Sequence, residues 1–192
     1  MKLISRGAEA KIYLKGNKIL KERICKKYRE RELDVFLRKT RTKKEAKLLS
    51  EVKRIGIKVP ILFDVKKFLI EIEFVDGKKL KNCLNKNNYK KFCKKIGESV
   101  LKMHLSNIIH GDLTTSNIIV KDGEFYFIDF GLGVETKSLE QKASDLLTLY
   151  QNFKSLHPEF DCWKYFLLGY KRKETEPVLQ VFKKMLKRRR YI

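Results

Sequence analysis

The chain is short of the residues that staple or interrupt a fold. Its four cysteines, Cys25, Cys83, Cys93 and Cys162, are scattered through 192 residues with no Cys-x-x-Cys pair. That spacing argues against a zinc site or a disulfide framework and fits a reduced, cytoplasmic protein. Three histidines, His104, His110 and His157, are too dispersed to form a metal cluster. Proline occurs only at 60, 158 and 177, and no low-complexity linker or internal repeat divides the chain. No apolar run approaches the roughly 20 residues that cross a bilayer. The start, Met1-Lys2-Leu3-Ile4-Ser5-Arg6-Gly7, has no signal-peptide apolar region. No membrane partner is expected. Acidic residues are also scarce: 23 Asp and Glu stand against 45 Lys and Arg, a formal net charge of +22.

That basic excess points to a polyanionic partner, nucleic acid first of all, or else to a lysine-rich solvated surface. Charge alone does not choose between them. Twelve Phe and eight Tyr give enough apolar area for a core, so long disorder is not expected. The length suits one domain or two small lobes sharing a cleft.

Periodicity divides the chain into a β-rich part and a helical part. Residues 10–14 and 18–23 alternate around Gly16-Asn17, which predicts a hairpin. A charged helix is expected over 29–55, stopped by Gly56 and Pro60. Strands follow over 61–65 and 68–74, and Asp76-Gly77 turns the chain out of a first lobe, residues 1–75. In the second lobe, residues 76–192, helices are expected over 89–105, 144–153, 163–170 and 178–190. Short apolar runs lie at 108–109 and 118–120, with a strand over 125–128.

Chemistry concentrates in one stretch. His110-Gly111-Asp112-Leu113-Thr114-Thr115-Ser116-Asn117 precedes Ile118-Ile119-Val120, a turn at 121–124, and Phe127-Ile128-Asp129-Phe130-Gly131. A carboxylate at Asp112 can accept the proton of an attacking hydroxyl. The Asn117 amide can hold a metal. Asp129, after an apolar strand, can hold magnesium across ATP phosphates. A hairpin between the two acids would fix both rigidly.

In these motifs the chain resembles the protein-kinase-like superfamily. The resemblance implies an α+β, protein-kinase-like two-lobed fold with a reduced helical C-lobe, using ATP and Mg. It implies a strand lysine on the phosphates, Lys21 (with Lys18 as competitor), held by a helix glutamate, Glu45. It further implies a phosphate loop at 5–10 with its single Gly7, adenine covered by Ile12, Ile19 as a further nucleotide contact on the strand face of Lys21, and hinge contacts to main-chain groups of Glu73 and Val75.

Three departures are informative. Gly111 stands where most protein kinases have the arginine that pairs with a phosphorylated activation loop. Fifteen residues separate Asp129 from Asp145, too few for a full activation segment. Thr114 replaces the lysine that contacts the transferred phosphate. Slow transfer or ATP hydrolysis is therefore expected. Asp145 resembles the helix acid that anchors the catalytic-loop backbone.

Gly7-Ala8-Glu9-Ala10, Lys26-Lys27-Tyr28-Arg29, Arg41-Thr42-Lys43-Lys44-Glu45-Ala46 and the His110–Asn117 stretch narrow the likeness further. With the arginine-rich end, the chain is similar to the small atypical kinases of the KEOPS complex, the PRPK-like family. Its small size suits an archaeal member. The resemblance implies Ser/Thr kinase and ATPase activity within an assembly that makes threonylcarbamoyladenosine in tRNA. The implied partners are the threonylcarbamoyl-transferase subunit, a small helical regulatory subunit, and tRNA through the assembly. Basic clusters at 26–31, 38–44 and 183–190 are the candidate tRNA contacts. The alternatives are a small-molecule phosphotransferase or a nucleotide-binding scaffold without required catalysis.

Overall fold

The structure is a computed structural model that describes residues 1–188. Five antiparallel strands open the chain: β1 (Lys2–Arg6), β2 (Ala10–Lys15), β3 (Lys18–Arg23), then, after helix α1 (Arg31–Arg54), β4 (Leu62–Val65) and β5 (Leu69–Glu73). Their order in the sheet is β1-β2-β3-β5-β4. The expected hairpin is β2–β3, joined by the two residues Gly16-Asn17, with Ile12 opposite Lys21. β1 lies outside the expected strands. All five of its side chains are exposed, so it carries no burial pattern to betray it.

The remaining chain is mainly helical. It runs through β6 (Lys78–Lys79), α2 (Leu80–Cys83), α3 (Tyr89–Leu105), β7 (Ile108–Ile109), β8 (Ile118–Lys121), β9 (Glu124–Phe127) and β10 (Val134–Glu135). Helices α4 (Leu139–Leu156), α5 (Cys162–Tyr170) and α6 (Glu176–Arg188) complete it. α4 begins five residues before the expected 144, because the Ser138 hydroxyl accepts from Gln141 N–H and caps a polar first turn. α6 exposes Lys183, Lys184, Lys187 and Arg188. The other two arginines of the basic end, Arg189 and Arg190, lie outside the described residues.

One contiguous core runs from Leu48, Leu49 and Val52 of α1 through Ile96 and Val100 of α3 to Leu146, Phe166 and Phe182. α3 and α5 approach closely where both are bare of side chain. A Cβ on Gly169 would lie 2.0 Å from the Lys94 carbonyl oxygen, and one on Gly97 would lie 2.2 Å from that of Phe166. This rigid helical base carries the β8–β9 hairpin.

Candidate active site

The hairpin fixes two acids from opposite ends. Ile118 pairs with Phe127, and Ile128 N–H donates to the Asn117 carbonyl at 3.0 Å. Asp129 therefore emerges beside Asn117. The Asn117 amide nitrogen donates to the Asp112 carbonyl at 2.9 Å and to Asp112 Oδ2 at 2.8 Å. Its N–H donates to the Thr114 carbonyl at 3.0 Å. Residues 112–117 thus form a closed loop whose last side chain orients its first.

Helix α4 holds that loop from below. Asp145 accepts from His110 N–H at 2.7 Å and Gly111 N–H at 2.8 Å, which bears out its reading as the loop's anchor. Asn152, two turns further along the same helix face, accepts from Thr115 N–H at 2.9 Å and from its hydroxyl at 2.7 Å. Asn152 was not expected; its seven-residue spacing from Asp145 was the available signal.

His110 is wholly buried and packs on Phe130, the rings tilted by 38° with their centres 4.5 Å apart. Its Nε2 lies 3.1 Å from the Ile128 carbonyl, and its Nδ1 lies 3.3 Å from Asp112 N–H. A carbonyl only accepts, so Nε2 carries the proton and Nδ1 accepts. Burial pushes its pKa below the ordinary value, which keeps the ring neutral. His110 ties the 112–117 loop to the Asp129 segment.

Gly111 shows why no arginine stands there. Its φ is +80°, and a Cβ would lie 2.3 Å from the Leu132 carbonyl oxygen and 3.0 Å from Gly133 N. The shortened segment after Asp129 passes directly over this glycine. It then pairs through β10 with β7, Val134 opposite Ile109.

The sheet supplies the upper wall. Lys21 Nζ lies 2.6 Å from Glu45 Oε1 and 2.6 Å from Asp129 Oδ1. Burial alone would lower the Lys21 pKa, but the two carboxylates outweigh it and raise it. Burial would likewise raise Asp129, but the Lys21 ammonium holds it below the usual carboxylate value. Lys18, the competing lysine, points elsewhere: it pairs with Glu71 at 3.6 Å and sits 4.8 Å from the Phe63 ring centre.

The 5–10 segment, expected to hold phosphates, turns on Gly7 N–H donating to the Ala10 carbonyl at 2.9 Å. Three cations strap it down. Arg41 and Arg29 reach Glu9 at 2.6 and 3.5 Å, and Lys26 Nζ donates to the Ala8 carbonyl. At the far end, Glu73 N–H is committed to the Ile61 carbonyl and Phe74 N–H to that of Asn17. Val75 N–H has no acceptor among the described residues. Contacts to Glu73 main chain are thereby confined to its carbonyl.

A single cavity of about 560 Å³ joins these parts, within the range of small-molecule sites. Gly7, Ile12, Ile19, Lys21, Glu45, Glu73, Val75, Asp112, Asn117 and Asp129 all line it. Arg23 and Arg41 line it too, and neither was singled out for the site. Among the described residues no cluster of three or more His, Cys, Asp or Glu side chains could hold a metal alone. The donor set fits a magnesium ion carried with phosphates: one carboxylate, one amide oxygen, and room for phosphate oxygens.

A RIO domain is matched over residues 8–155. The chain is 41% identical to the KEOPS complex subunit Bud32 of Pyrococcus abyssi, over 88% of this chain and 82% of that one. The chain belongs to the RIO-domain family, in its Bud32 branch. It is also 44% identical to a probable bifunctional tRNA threonylcarbamoyladenosine biosynthesis protein of Methanococcus vannielii, over 99% of this chain and 36% of that protein. A relative of the same description from Methanosarcina mazei is 39% identical, over 98% and 35%. The chain thus spans about a third of the length of these bifunctional relatives. Among solved structures it is similar to the Rio2 kinase of Chaetomium thermophilum in an ADP/Mg²⁺-phosphoaspartate complex. The TM-score is 0.70 at 14% identity, covering 100% of this chain and 72% of that one. It is also similar to WaaP in complex with acyl carrier protein, with a TM-score of 0.65 at 12% identity, over 97% and 88%. These two likenesses show the fold, which is the α+β, protein-kinase-like architecture expected from the kinase resemblance.

Proposed function

We propose that this RIO-domain chain is an ATP- and magnesium-dependent kinase or ATPase that works inside a tRNA-modifying assembly of the KEOPS type. One observation carries the reading. Lys21 is bonded at once to Glu45 and Asp129, and Asp112 with Asn117 line the same cavity. That arrangement is what phosphoryl transfer asks of a protein: positioned phosphates and one oriented base.

In this reading adenine lies beneath Ile12 and Ile19, which share one face of the β2–β3 pair, against Val75 N–H and the Glu73 carbonyl. The phosphates pass under the Gly7 segment to Lys21. Asn117 and Asp129 are the residues that would hold magnesium, which when bound neutralises charge on the β- and γ-phosphates. Asp112, oriented through Oδ2 by Asn117, accepts the proton of the attacking hydroxyl or water. Thr114, in place of a second phosphate-contacting cation, makes transfer slow.

The names of the relatives support the assembly. A chain of this branch would dock on a threonylcarbamoyl-transferase subunit and a small helical regulatory subunit, in the cytoplasm, and meet tRNA through the complex. No described helix is long and apolar enough to cross a membrane.

Calorimetric titration with ADP tests the site directly. We expect saturable binding at one site that strengthens at least about tenfold when magnesium is added. Asp129→Asn should abolish that strengthening while retaining weak magnesium-independent binding. No nucleotide binding by wild type, or equal binding with and without magnesium, would contradict the reading.

A further inference from the structure

Glu45 is 2% exposed and its carboxylate is divided between two cations. Oε1 takes Lys21 at 2.6 Å, and Oε2 takes Arg23 Nη2 at 2.5 Å. Arg23 is itself 5% exposed, two residues beyond Lys21 on the same face of β3. The same Nη2 lies 3.4 Å from the Arg41 carbonyl, one turn before Glu45 on α1. The Arg41 side chain in turn holds Glu9 of the phosphate loop at 2.6 Å. Arg23 also sits beside the segment after Asp129: a Cβ on Gly131 would lie 3.1 Å from Nη2. One guanidinium therefore meets α1 twice and stands against the Asp129 segment.

A buried carboxylate with a single cation depends wholly on that cation. Here Lys21 is already shared with Asp129, and in the nucleotide complex it must serve phosphates as well. We infer, on the nucleotide-site reading above, that Arg23 is a positioning residue that keeps α1 docked through Glu45 independently of Lys21. The planar, permanently charged guanidinium suits this task, since it keeps its proton and offers donors in a fixed fork. α1 then stays in place throughout the cycle, and Lys21 is released to the phosphates. It also follows that α1 is not the switch of this enzyme.

Amide hydrogen exchange of the folded full chain without nucleotide tests this, with Lys21→Met, Arg23→Met and Arg23→Lys compared at equal distance below their melting temperatures. Lys21→Met should leave the exchange of residues 42–49 within about twofold of wild type. Arg23→Met should speed it by at least about tenfold, and Arg23→Lys should recover most of the protection. In ATP hydrolysis, Arg23→Met should raise KM for ATP as well as lower kcat, with Arg23→Lys restoring both in part. Equal loss of protection in the Lys21 and Arg23 variants, or unchanged protection in Arg23→Met, overturns the inference. If Arg23→Met does not fold, Lys21→Met decides alone: loss of α1 protection there means that Lys21 was the anchor. Absence of nucleotide binding by wild type would remove the nucleotide-site reading but would leave the exchange result standing.

Discussion

Asp112→Asn is expected to lower ATP turnover on the order of 10²–10⁴-fold, the range lost with a general base. Affinity for magnesium-bound ADP should change by no more than about threefold, since Asp112 holds neither phosphates nor metal in this account. The amide is the informative replacement. It preserves shape and still offers an oxygen to Asn117 Nδ2, now 2.8 Å from Asp112 Oδ2. What it removes is the basic oxygen. Alanine would also free Asn117 and mix the loss of a base with a loosened loop. Single-turnover and steady-state rates, measured beside binding, separate the two effects. A turnover within threefold of wild type would mean that Asp112 only braces the loop.

Gly111→Arg, which writes in the arginine of ordinary protein kinases, should be the most damaging change in the catalytic loop. The residue must take φ +80° and must place a Cβ 2.3 Å from the Leu132 carbonyl oxygen. Strain of the left-handed conformation costs about 1–3 kcal/mol in a non-glycine residue. Relieving the overlap means displacing backbone on one side or the other, a cost of about 1–3 kcal/mol more. A chain of this size loses roughly 2–4 °C of Tm per kcal/mol, so a fall of roughly 4–24 °C is expected. Gly123→Ala is the control. Gly123 also has a positive φ, +75°, but nothing lies within 4 Å of its Cβ position. It should show only the smaller, conformational part. Equal Tm shifts in Gly111→Arg and Gly123→Ala would mean that the Leu132 segment yields freely, and that the missing arginine reflects something other than crowding.

Much of the site was legible because it is local. Asp112, Asn117 and Asp129 sit on one loop and one hairpin, and two short apolar runs around the turn at 121–124 tie them together with no long-range information. Lys21 and Glu45 were legible through the family likeness; the pairing across 24 residues is a tertiary fact. The residues that escaped share one cause. Arg23 was not singled out, and Arg29 and Arg41 were grouped with the candidate tRNA contacts; they are among 45 basic residues, and nothing in composition separates a buried cation from an exposed one. Their identity is set by which acids they meet, Glu45 and Glu9, and those meetings depend on the packing of α1 on the sheet. Asn152 escaped similarly: a polar residue on a helix declares itself only when its face is known. β1 and α2 escaped for the opposite reason. An exposed edge strand and a single helical turn carry too little apolar periodicity to be read.

The basic surface also takes a narrower meaning. Part of the charge excess is internal: Lys21 and Arg23 are nearly buried, and Arg29 and Arg38 are largely covered by Glu9 and Asp34. What remains for a polyanion lies on solvent faces, among them the lysines of α6.

The most direct test of the whole account is threonylcarbamoyladenosine formation on tRNA by the reconstituted assembly, with this subunit as wild type, Asp112→Asn or Asp129→Asn. ATP consumed by this subunit is counted in parallel, and assembly is checked by gel filtration. Both variants should assemble normally, lose this subunit's ATP consumption, and slow tRNA modification by at least about tenfold. Full modification by both variants in an intact assembly would contradict the account, and would make the cavity a scaffold's nucleotide pocket in place of an active site.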